Sequence, residues 1–175
     1  MSVIRVEEDI HYLPKPNRVE TIISDSLPPL DMISTAFVIP VTPNGLGVFV
    51  NNRRRGIEIP GGHLEKNETA EMAAVREAFE ETGCVVANLR PLGHLRMLVY
   101  GGKPKDYKYP FPYSFQQFFA GRVVCQTKFE PNDECLAPVF MDLNKENMER
   151  LREGNRLFLT NFLNRPKFWG PLFGD

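Results

Sequence analysis

The sequence predicts a mixed fold, α/β or α+β, with helices packed on the faces of a mixed sheet. Three observations carry that reading. Runs rich in branched and aromatic residues, such as ISTAFVIPV (33–41) and SFQQFFAGRVV (114–124), have the composition of strands. The stretch 69–82 is dominated by Ala, Glu, Met and Arg and holds no Gly or Pro, so it reads as a helix. Strand-like and helical runs intermix along the chain, which favours helices layered on a sheet.

Residues 1–30 are polar and interrupted by Pro14, Pro16, Pro28 and Pro29. They are expected to form an irregular arm with one short strand, part of the same domain as 31–175. The strand 33–41 is followed by TPNGLG, whose Asn-Gly pair suits a tight turn, and by LGVFVNN (46–52), so a hairpin is expected. RRRG (53–56) leads into a short strand, IEIP (57–60), that ends at Gly61-Gly62. At the helix, Thr69 can cap the N-terminus, Glu71 lies in the favourable first turn, and Gly83 sits where a C-terminal cap belongs. CVVANLRPLGHLRMLVYG (84–101) supplies one or two strands and GKPKDYKYPFPY (102–113) a loop. The run 114–124 is another strand, and APVFMDL (137–143) is the last. NKENMERLREGNRLFLTNFLN (144–164) reads as one or two helices broken near Gly154.

Composition narrows the function classes. At 175 residues the chain can bury a single hydrophobic core. A formal net charge of −1 gives no overall pull toward nucleic acid or anionic membrane. The three cysteines, Cys84, Cys125 and Cys135, have no C-x-x-C spacing, which argues against a disulfide framework or a Cys-based zinc site. Cys84 and Cys125 are expected to be buried packing residues. The N-terminal segment has no apolar h-region, and no run approaches bilayer length. A cytoplasmic protein with no membrane partner is the expectation.

Charge is far from evenly spread. Residues 59–83 hold six glutamates: Glu65, Glu68, Glu71, Glu77, Glu80 and Glu81. Helical spacing puts Glu77, Glu80 and Glu81 on one stripe, which continues toward the N-terminus as Ala70, Ala73 and Ala74. Met72, Val75 and Phe79 on the other side look like core contacts. A helix so flanked is sandwiched, and enclosed carboxylates repel and take up protons unless a cation neutralises them. Oxygen-only ligands suit a hard ion such as Mg²⁺ or Mn²⁺. The glycine pair lets backbone approach a ligand, and a carbonyl there can complete the coordination.

These residues resemble a known motif. Gly62, Glu68 and Arg76-Glu77-Ala78-Phe79-Glu80-Glu81-Thr82-Gly83-Cys84 are similar to the Nudix box, G-x5-E-x7-R-E-U-x-E-E-x-G-U, where U is a bulky aliphatic. All seven fixed positions match; Ala78 and Cys84 are smaller than the usual aliphatics. The resemblance implies an α/β fold, a Nudix-like α/β/α sandwich with a mixed central sheet. It implies a Mg²⁺- or Mn²⁺-dependent hydrolase that cleaves the pyrophosphate bond of a nucleoside diphosphate linked to another group. By position, Glu77, Glu80, Glu81 and the Gly61 carbonyl would hold metal, and Glu68 with Arg76 would anchor the loop. The general base would be Glu80 or Glu81 if the box supplies it. Other family members use a glutamate from a loop nearer the C-terminus, where FEPNDECLAP offers Glu130, Asp133 and Glu134; Glu134 is the choice.

Substrate contacts are expected from two further places. In the run Arg53-Arg54-Arg55, Arg54 and Arg55 are candidates to clamp phosphate, weighed against a merely solvated basic run. The loop carrying Lys103, Lys105, Tyr107, Lys108 and Tyr109 interleaves cations and aromatics, which suits base stacking, while Phe111 and Tyr113 are expected to bury against the sheet. Tyr100 lies near a tyrosine position of the family's dinucleoside-polyphosphate hydrolases. His11, His63 and His94 are isolated and read as non-ligands. The substrate expected is a nucleoside triphosphate or related polyphosphate. An RNA 5′ end, a dinucleoside polyphosphate or a nucleotide sugar stand as alternatives, and a non-catalytic nucleotide-binding module is the rival class. Assembly as a homodimer is compatible with the sequence.

Overall fold

The structure, a computed structural model, describes residues 1–151 and 159–160. Its strands are β1 (Ser2–Glu8), β2 (Asn17–Ile23), β3 (Ile33–Val41), β4 (Leu46–Asn52), β5 (Gly56–Glu58), β6 (Gly61–His63), β7 (Cys84–Val99), β8 (Tyr113–Gln126) and β9 (Cys135–Asp142). The helices are α1 (Ala70–Thr82) and the short α2 (Lys145–Met148), with a 3-10 turn at Leu30–Met32. The strands form one mixed sheet in the order β1-β2-β7-β8-β3-β4-β5, with β6 paired to β3 and β9 to β4. Among the named pairs β3 and β8 run parallel and the others antiparallel.

Alternation along β3 feeds two cores. Ala36 and Val38 pack with Val48, Phe115, Phe119 and Val123 beneath Ala70, Ala73, Ala74 and Ala78 of α1. Ile39 and Val41 join Phe49, Phe118 and Met141 on the opposite face, closed by Met148, Leu151 and Leu159. Helical material therefore lies over both faces of a mixed sheet, the α/β arrangement expected.

The structure corrects several local expectations. The supposed irregular arm contributes two strands, and β2 is almost wholly buried between β1 and β7. The Asn-Gly turn is present, with Gly45 at φ +87°, but β3 and β4 pair only at Val41–Gly47. β4 then turns to β9 and β5, because β3 is already occupied by β8 and β6. The run 57–60 splits between β5 and the approach to β6, and 84–99 is one long strand with register shifts against β8. Met72 and Phe79 are exposed, not core: α1 lies so close to the sheet that the alanines fill the interface. Cys125 is exposed near the end of β8. Tyr113 is exposed as well, since the sheet face it stands on is open there. Much of the helical reading of 144–164 lies outside the described residues.

Candidate active site

Three segments meet at the C-terminal half of α1. The helix is started by the Thr69 hydroxyl, which accepts from the Met72 amide, and stopped by Gly83 in the left-handed region at φ 72°. Between β6 and α1, Arg76 ties the connecting loop down. Its Nε and Nη2 donate to the two Glu68 oxygens at 2.8 and 3.0 Å, a bidentate pair. Nη2 also donates to the His63 carbonyl, and Nη1 donates to Glu77 and Glu80 at 2.9 and 3.3 Å. These hydrogen bonds hold the Glu68 carboxyl below its ordinary range and push Arg76 further up.

Gly62 fits against the Glu77 carboxylate, and Gly61 against β3, because both lack side chains. A Cβ on Gly62 would lie 2.6 Å from the Glu77 carboxyl carbon, and one on Gly61 would meet the Ala36 carbonyl at 2.5 Å. Val38 N–H donates to Pro60 O and Leu64 N–H to Ser34 O, so the ladder bonds between them fall on Ala36 and Gly62. Gly61 therefore turns its N–H and carbonyl away from β3. Its N–H reaches Glu81 Oε2 at 2.9 Å. Glu81 is only 8 % exposed, and its other oxygen accepts from the Cys135 thiol at 3.6 Å.

Burial sets the protonation of this pocket. It pushes the Glu81 carboxyl up to about 7, and Glu77 and Glu134 add to the rise against the pull of the Gly61 amide. Burial likewise raises Glu77, opposed by Arg76 and reinforced by Glu80 and Glu134. Glu80 is more exposed, at the solvent edge of the stripe. Burial and the adjacent Glu81 raise the Cys135 thiol to about 12, which keeps it protonated as a donor.

Glu134, more than fifty residues downstream, arrives on the loop before β9. Asn132 Oδ1 accepts from the Glu134 and Cys135 amides and shapes that loop. Asn52 does the same for the arginine turn, accepting from the Arg54 and Arg55 amides. Arg55 then bridges Glu58 at 2.7 Å and Glu134 at 3.0 Å, so its guanidinium is committed within the protein. Arg53 Nε is taken by the Asn132 carbonyl. Arg54 is exposed, and its guanidinium has no partner among the described residues.

The aromatic loop folds onto the glycine loop. Tyr109 stacks on His63 with ring centroids 5.5 Å apart, and its hydroxyl lies 2.9 Å from His63 Nε2. Tyr107 packs edge-on against Tyr109 and Phe111. Tyr100 is not in this cluster; it lines a separate cleft with Arg18, Glu20 and Arg96. Sequence reasoning passed over Glu58, Asn52 and Asn132, and it read His63 as an isolated non-ligand without its contact to Tyr109. Glu58 had a signal, a lone charge inside the apolar run IEIP, whereas the His63–Tyr109 contact spans 46 residues and left none.

A profile of the NUDIX domain matches residues 32–162. The chain belongs to the Nudix hydrolase family. The Bacillus subtilis pyrophosphohydrolase BsRppH, solved as a point mutant, is similar in fold at a TM-score of 0.66 and 25 % identity, covering 92 % of this chain and 97 % of that one. The Escherichia coli dihydroneopterin triphosphate pyrophosphohydrolase aligns at a TM-score of 0.56 and 17 % identity, over 76 % of this chain and 96 % of that one. YtkD of Bacillus subtilis (strain 168), provisionally named an 8-oxo-dGTP diphosphatase, is 44 % identical over 61 residues. That match spans 35 % of this chain and 37 % of YtkD.

Among the described residues no three acidic, His or Cys side chains are gathered as a ready-made metal cage. The reason is visible: Arg76 holds Glu77 and Glu80, and the Gly61 amide holds Glu81. The donor set of this Nudix box nevertheless suits a hard divalent cation. It is all carboxylate oxygen, it is partly desolvated, and the Gly61 carbonyl is free of the β3 ladder. No helix among the described residues is long and apolar enough to cross a membrane.

Proposed function

We propose that this protein is a divalent-cation-dependent hydrolase that cleaves a phosphoric anhydride bond of a nucleoside triphosphate or related nucleotide polyphosphate. The observation that carries it is the meeting of Glu77 and Glu81 with Gly61 and Glu134, three chain segments brought to one partly buried acidic pocket. Such crowding of carboxylates is costly without a cation, and a nucleotide polyphosphate brings one with it. The partial identity to YtkD supports a nucleoside triphosphate as substrate, and BsRppH supports pyrophosphate release.

When bound, Mg²⁺ or Mn²⁺ supplies charge neutralisation on the phosphate oxygens. Glu77, Glu80, Glu81 and the Gly61 carbonyl would hold it. The Glu68–Arg76 pair fixes the glycine loop to the helix, so the carbonyl and the carboxylates keep one geometry. Arg54 supplies a guanidinium to the phosphates, and Tyr107 and Tyr109 offer faces for the base. Water adds to a phosphorus of the anhydride, the bridging P–O bond breaks, and the leaving phosphate keeps the electron pair. Glu134 accepts the proton of that water. Arg55 orients its carboxylate from the side of Glu58.

The test is a panel of nucleoside triphosphates, dinucleoside polyphosphates and nucleotide sugars, incubated with purified protein and Mg²⁺ and read by product identity. Mg²⁺-dependent release of pyrophosphate or phosphate from one class supports the proposal. Binding without release across the panel overturns it in favour of a nucleotide-binding module.

A further inference from the structure

The run Asn132-Asp133-Glu134-Cys135 reaches the acidic pocket on a turn closed by its own first residue. Asn132 Oδ1 accepts from the Glu134 and Cys135 amides at 2.9 and 2.7 Å, and the Asn132 N–H donates to the Cys135 carbonyl at 3.0 Å. Both backbone polar groups of Cys135 are thus bound to one residue. The Arg53 N–H donates to the Glu134 carbonyl at 2.9 Å, and Cys135 stands opposite Asn52 where β9 begins. The backbone of Cys135 is therefore fixed before its side chain makes any contact.

Successive side chains of an extended segment point to opposite sides. Glu134 faces Arg55 Nη2 and Asn52 Nδ2, which lie 3.0 and 3.4 Å from its Oε1. Cys135 faces the other way, toward α1, and is 1 % exposed. Its Sγ stands 3.6 Å from Glu81 Oε1, within reach of an S–H donor. Among the described residues no other hydrogen bond or ion pair joins α1 to the segment 130–142.

Glu81 has two oxygens and two donors. The Gly61 N–H of β6 serves Oε2 at 2.9 Å, and the thiol of β9 serves Oε1. The carboxylate is thereby gripped from two strands at once. A buried carboxylate oxygen stripped of its donor is costly to keep in place. Arg76 does not substitute for the thiol, because its bonds go to Glu68, Glu77, Glu80 and the His63 carbonyl.

We infer that Cys135 is a positioning residue for the cation site: its thiol restrains the Glu81 carboxylate for cation binding and pins the Glu134 segment against α1. This rests on the reading of Glu77, Glu80 and Glu81 as cation ligands. Glu134, one residue away in the chain, is then held in register with those carboxylates, although its own bonds run to Asn52, Arg55 and Asn132 and none reaches α1. The thiol acts through Glu81 and touches neither cation nor substrate.

The experiment compares Cys135→Ala, Cys135→Val and Cys135→Ser with the natural protein. Alanine and valine lack the donor, valine keeping the space filled, whereas serine supplies a hydroxyl donor in place of the thiol. Binding of Mn²⁺ alone, without nucleotide, is followed by electron paramagnetic resonance of the free ion. Turnover with Mg²⁺ is measured on the nucleotide that the substrate panel identifies, and circular dichroism shows which variants are folded. In a folded alanine or valine variant, Mn²⁺ affinity and kcat should each fall roughly tenfold, the usual scale for losing a partner that orients a metal ligand. KM should stay close to that of the natural protein, and serine should recover most of both losses. A thiol that only packs would lower the melting temperature and leave Mn²⁺ affinity and kcat unmoved. Unchanged Mn²⁺ affinity without the donor, or a serine variant as impaired as alanine, overturns the role of the thiol and leaves the cation site standing. If neither donorless variant folds, the thiol serves folding and the inference falls. A natural protein that binds no Mn²⁺ overturns the cation-site reading and this inference with it.

Discussion

Glu81 concentrates the tension of the site in one side chain. It is buried, faces Glu77 and Glu134, and is held by the Gly61 amide and the Cys135 thiol. Its carboxyl titrates near 7 in the folded protein against 4.5 in the reference state. A carboxyl raised in this way stabilises the fold fully below about pH 4.5, and that contribution is lost as pH rises through about 7. The cation-free protein should therefore lose roughly 3 kcal/mol of stability between those pH values, as an upper figure. Thermal melts with chelator across pH 5–8 check this, and added Mg²⁺ should restore the loss at the upper end. A flat profile would mean that the Glu81 carboxyl is not desolvated. Arg76 invites a parallel test. Arg76→Lys cannot keep the fork to Glu68 with the links to Glu77 and the His63 carbonyl, so it should cost roughly 1–2 kcal/mol. Denaturant midpoints measure it, and a cost indistinguishable from zero would remove the loop anchor from the account.

At the scale of elements, α1 shows how a small-residue face decides geometry. Ala70, Ala73, Ala74 and Ala78 let the helix sit close over β3 and β7, which brings Glu81 to the Gly61 amide. Enlarging that face with Ala74→Leu should destabilise by roughly 1–3 kcal/mol through overpacking and should displace the carboxylates. Met72→Gln, on the exposed side, should stay within about 0.5 kcal/mol of the natural protein. The contrast was hidden in the sequence, where large apolar residues at helical spacing are the usual core signal. Here the helix inverts the pattern because its partner surface is a crowded sheet and only methyl groups fit between. Gly62→Ala should fail for a related reason: its Cβ would occupy the space of the Glu77 carboxylate. A large loss of turnover with modest loss of stability is the expected result, read from kinetics beside a melt.

The whole molecule is one sheet with the site at the ends of segments remote in sequence. Among the described residues β1 is an exposed edge paired only to β2, whereas β2 is buried and paired on both sides. Removing residues 1–8 should leave a folded protein with its melting temperature lowered by only a few degrees, while removing 1–24 should abolish folding. Circular dichroism distinguishes the two, and equal behaviour would contradict the topology. The sheet shows which parts of the protein were legible in advance. Local signals were readable: Thr69 and Gly83 bound α1, the glycine pair precedes it, and the spacing of Glu68, Arg76, Glu77, Glu80 and Glu81 marks the box. One short strand was expected in the arm and a second was missed, because prolines flank β2 on both sides and its partner, β7, lies 70 to 82 residues away. The Tyr109–His63 stack and the Arg55–Glu134 pair were invisible for the same physical reason. They depend on register between distant strands, which no local pattern records.

The central claim is that the helix carboxylates form a cation-assisted site for breaking an anhydride, and Glu81→Gln tests it most directly. The change keeps an acceptor for the Gly61 amide, so the fold should persist and the cation-free protein should be more stable at pH 8 than its parent. Phosphorus NMR of a nucleotide incubation with Mg²⁺ should show product release by the natural protein and a loss of at least a hundredfold in the variant. Undiminished turnover by a folded Glu81→Gln protein would contradict the account.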